Sequence, residues 1–557
     1  MSEHSATAAS QDGSLPIAAP LTADGAQGIA WDARCEVLVV GFGAAGAAAA
    51  IAAKEAGAAT IVLERFDGGG ASARSGGVVY AGGGTTHQKK AGYEDTPEQM
   101  FRYLRQETGD AVSEAALRRF CEDSVGLIQW LESLGANFES SEPPPKTSYP
   151  KDGVYLYYSG NEAVPEYAAH AKPAPRGHRT RGSWLSGKAL FEFLKARVNA
   201  LEIPVMTQSA VRRLITDMKT GAVLGAEVWQ LAPGSAEARK HQKLMSSAEK
   251  MHNFMPRRAD QLRAQALQLE LTAAKPIKVR AERGVVLSTG GFIFNKEMVA
   301  QHAPKYRRAL RLGATGCDGS GIRLGLSAGG VAARMDKASA WRFINPPTVW
   351  PQGIAVSMQG RRFCNEQVYG AKLGVAMCEH HDGRAWLILD KKLRGAAMKE
   401  AVFGGLWWFQ SVPSFLAMLA APKGGSAEEL AAKIGVPPAT LRESIDSYSA
   451  AARNRTPDAL GKGDNMRQPL DAPYYALDIG AGSKSFPCPA ITLGGLRVDE
   501  HGGGVLDGAG KTIKGLYAAG RTAIGIASNN YVSGLSLADC LWSGRRAGAE
   551  AAKAAGN

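Results

Sequence analysis

Residues 35–46 read CEVLVVGFGAAG, and the N-terminal half of the chain is arranged around them. A short apolar run that leads into G-x-G-x-x-G is typical of a buried parallel strand that enters a tight turn before a helix. Gly41 permits the turn, Gly43 lets the backbone approach a pyrophosphate, and Gly46 lets the helix pack closely on the strand. The segment therefore predicts the start of a dinucleotide-binding unit.

The second half of this unit follows in the expected order. After an alanine-rich helix, residues 59–64 read ATIVLE, a second apolar strand that ends in Glu64. Glu64 lies roughly 20 residues after the glycines, where a carboxylate accepts a hydrogen bond from a ribose hydroxyl. The helix that follows Gly43 offers unpaired N–H groups and the positive end of its dipole to the phosphates. Because all five parts occur in order, an ordinary βα turn is a poor explanation.

Length and composition restrict the class of protein. A chain of 557 residues can bury a large core and divide into two or more domains. A hydrophobic content of 45% with 66 glycines fits an α/β enzyme rather than a disordered or fibrous protein. The seven cysteines show no C-x-x-C or metal-ligand spacing, which indicates reduced thiols in the cytoplasm and no metal site. No apolar run approaches the ~20 residues that span a bilayer.

The net charge of +13 points to an anionic partner, but no nucleic-acid-binding motif is present. Much of the excess is local, because residues 239–263 carry seven Lys or Arg against two acids. These cations alternate with Met and Leu in a basic insertion, about residues 233–275. One interpretation is an amphipathic helix that makes a peripheral membrane contact through residues 235–275. The other is a pair of helices that pack on the body of the protein or on a second subunit.

Three further glycine-containing segments extend the predicted site. The loop directly after the first unit contains SGG at 75–77, where backbone N–H groups can wrap a second face of the cofactor. TGG at 289–291 follows an apolar strand, and a second glycine-ended strand spans 515–520. A cofactor held near residue 41 and met again near residue 520 must be long, so FAD fits better than NAD. The N–H groups of residues 535–537, at a helix start, can stabilise the negative charge of a reduced flavin.

An aromatic segment lies between the predicted cofactor-binding elements. Residues 141–180 are rich in Pro, Tyr and Gly and include Tyr155, Tyr157, Tyr158 and Tyr167. Aromatic side chains in an irregular segment can line an apolar pocket, and they can equally anchor a loop to the body. Both interpretations stay open from the sequence.

Together, these segments resemble the superfamily of FAD-dependent fumarate reductases and 3-ketosteroid dehydrogenases. Within it, YAGGGT at 80–85 and YVSGLSL at 531–537 are similar to the 3-ketosteroid Δ4-(5α)-dehydrogenases. The resemblance implies an α/β fold, with a Rossmann-like FAD-binding domain and an inserted α+β substrate domain. We expect a flexible leader (1–33), the first part of the FAD-binding domain (34–294), the substrate domain (295–485) and the last part of the FAD-binding domain (486–557).

The resemblance also implies which residues bind the cofactor FAD and which partners the protein has. The cofactor-binding residues are Gly41, Gly43, Ala45, Gly46, Glu64, Arg65, Ser75, Gly76, Gly77, Val211, Thr289, Gly290, Gly291, Gly520, Arg521, Gly534, Ser536 and Leu537. The expected partners are a 3-keto steroid substrate and an external electron acceptor, with no nucleic acid.

The reaction implied is the introduction of a C=C bond between C4 and C5 of a 5α-3-oxosteroid. It needs a group that polarises the ketone, a base that removes the α-proton, and flavin N5 as hydride acceptor. The resemblance assigns Tyr531, Ser533 and Tyr369 to the proton transfer. A tyrosine hydroxyl with a pKa of ~10 suits carbonyl polarisation and proton relay better than the role of base alone. Each residue also has a structural explanation, since core tyrosines often only pack and Ser533 could cap the following helix.

Other functions stay open as alternatives. A 3-ketosteroid Δ1-dehydrogenase carries a glycine four residues after its tyrosine, where this chain has Leu535, which counts against Δ1 chemistry. A fumarate-reductase-like ene-reductase carries an arginine and histidine constellation for two carboxylates, which cannot be placed here. A third alternative is a flavin-containing module whose main role is membrane binding through the basic insertion. The predicted location is the cytoplasm, with a peripheral position on the inner face of the membrane as the alternative.

Overall fold

The computed structural model describes residues 12–141 and 148–556. The strands are β1 (Leu21–Ala23), β2 (Ala33–Val40), β3 (Thr60–Leu63), β4 (Val78–Tyr80), β5 (Leu156–Tyr157), β6 (Gly177–Arg179), β7 (Val205–Met206), β8 (Ser209–Asp217), β9 (Val223–Gln230), β10 (Lys275–Leu287), β11 (Leu310–Arg311), β12 (Ala332–Ala333), β13 (Ala338–Ala340), β14 (Ile354–Val356), β15 (Trp386–Asp390), β16 (Lys423–Gly424), β17 (Tyr474–Asp478), β18 (Pro489–Thr492), β19 (Gly495–Leu496), β20 (Gly504–Leu506) and β21 (Thr512–Ala518). The helices are α1 (Ala44–Glu55), α2 (Gly70–Ala73), α3 (Thr86–Lys90), α4 (Pro97–Thr108), α5 (Glu114–Glu122), α6 (Ser124–Ser133), α7 (Pro165–Ala168), α8 (Gly187–Ala200), α9 (Ala236–Met251), α10 (Pro256–Ala273), α11 (Lys296–His302), α12 (Ser320–Ser327), α13 (Gly370–His380), α14 (Lys391–Phe403), α15 (Trp408–Leu419), α16 (Ala427–Ile434), α17 (Pro438–Asn454) and α18 (Leu535–Lys553).

In the described ranges, the largest sheet has nine strands and contains the predicted dinucleotide unit. β2 is parallel to both of its neighbours, β3 and β10, and the last part of β10 is parallel to β21. The last residues of these four strands form one row across the sheet: Leu63, Val40, Leu287 and Ala518. The loops that follow, which contain the predicted glycines, therefore start at one edge of the sheet.

Helices α1 and α18 cross at very short distance beside this sheet. A Cβ atom at Gly544 would lie 2.3 Å from the carbonyl oxygen of Ala45, and one at Gly548 would lie 2.0 Å from that of Ala49. Both distances are far below van der Waals contact, so the crossing needs glycine at these positions. The crossing fixes the N-terminal ends of both helices relative to each other.

Residues 12–33 correct the prediction of a flexible leader, because they pack on the body of the protein. β1 pairs in parallel with β8, from Leu21 opposite Ile215 onwards. Leu15 is buried, and its backbone N–H donates to the carboxylate of Asp318 at 2.8 Å. Backbone pairing holds this segment, and a composition of small and polar residues does not reveal such pairing. The rest of the predicted leader, residues 1–11, lies outside the described ranges.

The basic insertion forms a helical hairpin of α9 and α10. Met245, Leu262 and Leu267 are buried against the protein, and Leu244, Met251, Leu269 and Leu271 are partly buried. This burial agrees with helices that pack on the body and corrects the interpretation of a lipid-facing helix along the whole of 235–275. Only the tip of the hairpin, Phe254 and Met255, exposes large apolar side chains, with 67% and 49% of their surface accessible.

Residues 295–485 contain a second group of strands and helices. The four-stranded sheet β14-β15-β17-β16 lies wholly within this range. A three-stranded sheet, β11-β18-β13, pairs residues 310–340 with residues 489–492, so it crosses the predicted boundary at 485. The domain limits therefore stay a prediction.

Among the described helices, none is both long and apolar enough to cross a membrane.

The crossing of α1 and α18 makes a stability prediction. Gly548→Ala should lower the free energy of unfolding by about 1–3 kcal/mol, because the added Cβ overpacks the contact with Ala49. Gly126→Ala is the matched control, since its Cβ would meet nothing within 4 Å in helix α6. The control should leave the protein equally stable or stabilise it by about 0.5–1 kcal/mol. Urea denaturation of both variants measures the difference, and equal unfolding energies would contradict the close crossing.

Two buried histidines predict a loss of stability in mild acid. Burial lowers the pKa of His178 and of His252 from 6.5 to about 4. Both imidazoles therefore stay neutral in the folded protein, whereas the unfolded chain binds protons below pH 6.5. Their contribution to stability is complete above pH 6.5 and is lost as the pH falls from there towards about 4.

The side chain of His178 offers the direct test, because its ring nitrogens contact Thr85 and the carbonyl of Arg176. His178→Gln removes the titrating group, so the midpoint of thermal unfolding should fall less steeply with decreasing pH than in the wild type. The exposed His501 supplies the control variant, His501→Gln. An unchanged slope in His178→Gln would show that this imidazole does not set the acid limit.

Candidate active site

A cavity of about 500 Å³ lies at the carboxyl edge of the nine-stranded sheet. Nine of the residues predicted to bind the cofactor line it: Gly41, Gly43, Ala45, Glu64, Arg65, Val211, Thr289, Gly290 and Arg521. They come from β8, from the start of α1 and from the loops that follow β2, β3, β10 and β21. Tertiary structure thus joins distant segments of the chain into one site, as expected for ligand binding at this edge.

The three glycines of the first loop have different roles in the structure. Gly41 has φ +99°, and a Cβ there would lie 2.8 Å from the carbonyl oxygen of Ser288. At Gly46 a Cβ would lie 1.9 Å from the carbonyl oxygen of Gly41, so the helix packs directly on the turn. A Cβ at Gly43 would meet nothing nearer than the hydroxyl of Ser72, at 3.6 Å. Gly43 therefore leaves open the approach to the backbone that a pyrophosphate needs.

The carboxylate of Glu64 faces the same cavity from the end of β3. It accepts hydrogen bonds from the backbone N–H groups of Phe42 and Phe66, at 2.7 and 2.8 Å. Burial raises the pKa of Glu64, and the two N–H donors oppose this rise. Each oxygen keeps a further lone pair, so the carboxylate can still accept from ribose hydroxyls.

The guanidinium of Arg65 turns to protein partners. It donates to the carboxylates of Glu270 and Asp318, each at 3.0 Å, and to the carbonyl oxygen of Gly13. These contacts tie the N-terminal segment and α10 to the end of β3. Arg65 lines the cavity, but its charge holds the wall of the site together.

A second cavity, of about 180 Å³, adjoins the first. The two cavities share five lining residues: Ala71, Ser72, Arg74, Arg521 and Cys540. The predicted Ser75, Gly76, Gly534, Ser536 and Leu537 line the second cavity. Several aromatic side chains do so as well: Tyr149, Tyr157, Trp341, Phe343, Trp184 and Trp407. This cavity is therefore an apolar, aromatic-walled space that continues from the cofactor cavity.

Arg521 stands at the junction of the two cavities. Its Nη2 atom lies 3.2 Å from the sulfur of Cys317. Its Nη1 atom is buried and has no hydrogen-bond partner among the described residues. A guanidinium stays charged at all ordinary pH values, so this atom offers an unused donor to an anionic or carbonyl group at the junction.

The second cavity brings together the three residues predicted to transfer the proton. The rings of Tyr369 and Tyr531 lie 6.5 Å apart, and Tyr531 packs on Trp341 at 4.4 Å. The side chain of Ser533 makes a hydrogen bond with Tyr369, and its Oγ lies 3.5 Å from the hydroxyl of Tyr157. Three tyrosines and a serine thus meet around one space.

Burial determines the protonation state of these tyrosines. It raises the pKa of Tyr369 and of Tyr531 well above the usual value and that of Tyr157 to about 12. Hydrogen bonding to Ser533 opposes the rise for Tyr369 and Tyr157. The hydroxyls are therefore protonated at neutral pH, where they can donate to a carbonyl and relay a proton along a hydrogen-bonded chain.

A buried polar cluster holds the loops of Tyr369 and Tyr531 together. Asn161 accepts from the backbone N–H of Tyr369 at 2.6 Å and donates to the carboxylate of Glu107 at 2.7 Å. The backbone carbonyl of Glu107 accepts from the side-chain amide of Asn529 and the backbone N–H of Asn530. The segment before Tyr369 and the segment before Tyr531 are thereby anchored to the same helix, α4.

The sequence did not reveal Tyr149, Trp341 and Phe343 as lining residues, and it left Tyr157 open. In the aromatic segment 141–180, of which 142–147 lie outside the described ranges, Tyr149 and Tyr157 line the second cavity. Tyr155, Tyr158 and Tyr167 do not line it. The density of aromatic residues was the available signal, but it does not say which rings point inward.

Four of the predicted cofactor-binding glycines line neither cavity: Gly46, Gly77, Gly291 and Gly520. Each allows a close approach within the protein. A Cβ at Gly77 would lie 2.5 Å from the backbone of Ser186, and one at Gly291 would lie 2.5 Å from the hydroxyl of Thr492. These glycines shape the walls of the site.

In the part of the chain that the structure describes, no cluster of three His, Cys, Asp or Glu side chains could hold a metal ion.

The sheet, its glycine-ended strands and the two adjoining cavities define a flavoprotein with a dinucleotide cofactor. The model of the FAD binding domain family matches residues 36–537, so the chain belongs to this family. A relative, 3-oxo-5-alpha-steroid 4-dehydrogenase of Comamonas testosteroni, is 44% identical over 515 residues, which are 91% of this chain and 96% of that protein. The predicted resemblance, fold class and FAD cofactor are confirmed.

Two solved structures share the fold over nearly the whole chain. The 3-ketosteroid-Δ4-(5α)-dehydrogenase from Rhodococcus jostii RHA1, in complex with 4-androstene-3,17-dione, is 30% identical with a TM-score of 0.80. The match covers 96% of this chain and 100% of that one. The 3-ketosteroid Δ1-dehydrogenase from Sterolibacterium denitrificans is 21% identical with a TM-score of 0.62, over 93% of this chain and 99% of that one, and shows the shared fold alone.

The residues of the first cavity fit FAD. Gly43 leaves room for a pyrophosphate, and Glu64 presents a carboxylate. The Nη1 atom of Arg521 has no partner among the described residues and can donate to a polar group of the cofactor. In the second cavity Ser536 and Leu537 lie in the first turn of α18, whose N–H groups have no partner within the helix. These residues would hold the two ends of the cofactor.

The carboxylate of Glu64 makes a prediction for cofactor affinity. Glu64→Gln should raise the Kd for FAD by about 10- to 100-fold, because a charged acceptor for ribose hydroxyls is lost. Glu36→Gln is the control, since Glu36 also accepts from a backbone N–H, that of Ala59, away from the cavity. The increase in FAD fluorescence when the holoenzyme is diluted reports the release of FAD and gives the Kd of each variant. An unchanged Kd in Glu64→Gln would show that the carboxylate of Glu64 does not bind the cofactor.

Proposed function

We propose that this protein is an FAD-dependent 3-ketosteroid dehydrogenase that introduces the C4–C5 double bond into a 5α-3-oxosteroid. The observation that carries the proposal is the meeting of Tyr369, Tyr531 and Ser533 in an aromatic cavity that adjoins the cofactor cavity. The similarity to the Comamonas and Rhodococcus proteins over nearly the whole chain supports the same reaction.

The polarity of the second cavity suits a steroid. Its walls are aromatic and apolar apart from a few hydroxyls and three arginines, Arg74, Arg179 and Arg521. The side chain of Arg179 is engaged by Asp152 and by the carbonyl oxygen of Trp184, and Arg74 pairs with Glu249. A flat apolar ligand with one ketone matches such a space better than a small dicarboxylate, which needs several free cations.

The hydroxyls of this cavity account for the proton transfer. A protonated tyrosine that donates to the 3-keto oxygen makes the hydrogens on C4 acidic. The C4 proton then passes through the hydroxyls of Tyr531, Ser533 and Tyr369 to solvent water, which accepts it, since none of these hydroxyl groups is a strong base alone. Bound FAD supplies the acceptor for the hydride that leaves C5. The aromatic walls exclude water from the reacting carbons.

Two further features belong to this proposal. Each turnover removes two electrons from the steroid, so an external electron acceptor must take them before the next turnover. A peripheral position at the membrane suits a substrate of low water solubility.

Substitution of the three hydroxyl groups tests the assignment. Tyr531→Phe, Ser533→Ala and Tyr369→Phe should each keep bound FAD and lower kcat by about 10²- to 10⁴-fold, because the proton loses its path. Tyr158→Phe is the control, since Tyr158 does not line the second cavity. Steady-state turnover with a 5α-3-ketosteroid measures the effect. Full activity in all three variants would disprove the assignment.

The choice of substrate separates this function from its alternatives. Under nitrogen, a 5α-3-ketosteroid should bleach the flavin absorbance, with the 4-ene-3-ketone as product. A Δ1-dehydrogenase would also be reduced by a 4-ene-3-ketosteroid, and an ene-reductase of the fumarate reductase kind would be reoxidised by an unsaturated dicarboxylic acid. Either of these results in place of the first would overturn the proposed reaction.

A further inference from the structure

Helix α15 carries its apolar residues on the side that faces solvent. Trp408, Val412, Leu416 and Leu419 recur at helical spacing, and about half of the surface of each is exposed. The opposite side of the helix, which includes Ser414 and Met418, is buried. An ordinary surface helix has the reverse arrangement. The fold of this chain therefore does not explain the outward face of α15.

The segment around α15 has no charge that would keep it in water. Residues 401–422 contain no Asp, Glu, Lys, Arg or His. Phe403, at the end of α14, has 80% of its surface exposed. Scattered apolar residues are normal on a protein surface, but a continuous apolar face of this kind marks a binding surface.

Two other elements extend this surface. Phe254, at the tip of the α9–α10 hairpin, stacks on Trp408 with ring centroids 5.8 Å apart. Trp184, half exposed, packs against Trp407 at 5.1 Å. We call the outward face of α15, Phe403, the hairpin tip and Trp184 the apolar collar. It is built from three parts of the chain that are distant in sequence: Trp184, the hairpin tip and residues 403–419.

The apolar collar adjoins the opening of the second cavity at Trp184, which lines this cavity and is half exposed to solvent. Trp184, Leu185 and Trp407 line that cavity, and Trp184 is at the same time part of the collar. A protein partner bound across the collar would cover this opening. A lipid surface would instead bring a dissolved apolar ligand directly to it.

Charge beside the collar favours a lipid surface with anionic headgroups. Lys250, Arg257 and Arg258 flank the exposed tip of the hairpin, all three are exposed, and residues 250–258 contain no acid. Aromatic and aliphatic side chains beside Lys and Arg are the composition of surfaces that insert into the interface of a bilayer. Of the basic insertion, only this tip takes part, because the rest is packed on the body.

We infer that the apolar collar docks on an anionic lipid bilayer and that the substrate enters the second cavity from the membrane. The docking itself follows from the collar and its cations. The entry of a steroid rests on the proposed function, which it deepens by naming the source of the substrate. The collar residues that do not line the cavity can be replaced without touching the active site.

Vesicle flotation of the FAD-loaded enzyme tests the docking. Wild-type protein should float with vesicles of phosphatidylcholine and phosphatidylglycerol and much less with phosphatidylcholine alone. Phe254→Ser, Phe403→Ser and Leu416→Ser combined should weaken binding by about tenfold or more, because apolar insertion is lost. The matched control combines Met218→Ser with Leu326→Ser, two exposed apolar residues of the β8–β9 turn and α12. Equal flotation of the collar variant and the control would overturn the inference.

The cations give an independent arm of the same test. Arg257→Glu with Arg258→Glu should lower binding to the anionic vesicles by about tenfold or more. Lys511→Glu with Lys514→Glu, on the β20–β21 hairpin, changes the net charge equally and should bind as the wild type does. If both pairs weaken binding equally, net charge rather than the collar brings the protein to the lipid, and the inference is wrong.

Turnover measurements separate this inference from the proposed function. With a 5α-3-ketosteroid dissolved by cyclodextrin, the collar variant should keep the wild-type kcat. With the same steroid loaded into anionic vesicles, its rate should fall by about tenfold relative to the wild type, in step with its weaker binding. No turnover by the wild type in cyclodextrin would refute the proposed function while flotation still reports on docking.

A second copy of the chain is the competing occupant of the collar. Light scattering of the wild type and the collar variant detects it. If the wild type is a dimer, the collar variant a monomer and neither floats, the collar is a subunit interface and docking on lipid is excluded. A collar variant with the same mass as the wild type, together with lost flotation, supports the inference.

Discussion

The close crossing of α1 and α18 is the constraint on which the site depends. Gly544 and Gly548 let α18 lie against the backbone of α1 at distances that no side chain would allow. The N-terminal end of α1 reaches the first cavity and that of α18 the second. Because both helices are locked to one sheet and to each other, the two ends of a long cofactor are held at a fixed separation.

The same rigidity supports the chemistry of the second cavity. Tyr369 follows strand β14 and precedes α13, whereas Tyr531 precedes α18, so different parts of the chain must bring the two hydroxyls together. The cluster of Glu107 and Asn161 makes this connection through buried hydrogen bonds to both loops. A buried polar group without a partner is costly, so a fully bonded cluster specifies one arrangement of the loops. The hydroxyl groups that face the cavity are therefore distinct from Glu107 and Asn161, which hold their loops in place.

Apolar character runs from the interior of the second cavity to the surface of the protein. The aromatic walls continue through Trp407 and Trp184 to the exposed face of α15. Such continuity is expected where a ligand that avoids water must enter a protein without crossing the solvent. In this arrangement the substrate cavity, its opening and the inferred lipid surface are parts of one apolar path.

The dinucleotide-binding unit and the three catalytic candidates could be predicted from the sequence, because each is marked by a pattern within a short segment. The strand, glycine turn and helix of residues 35–64 follow from short-range periodicity and from the backbone freedom of glycine, and the structure has them as β2, α1 and β3. The glycine segments led to the superfamily, 80–85 and 531–537 led to the 3-ketosteroid Δ4-(5α)-dehydrogenases, and the resemblance gave the three catalytic candidates. Which of those candidates face one another is a tertiary property.

Only the tertiary structure decided the features that depend on distant partners. The leader from residue 12 pairs with β8, and the charge of Arg65 is taken up by Glu270 and Asp318, far along the chain. Tyr149 and Trp341 became walls of a cavity, and the apolar face of α15 pointed outward rather than into the core. Residue type and spacing determine what a short segment can form, whereas contacts between segments hundreds of residues apart determine which side of it is buried.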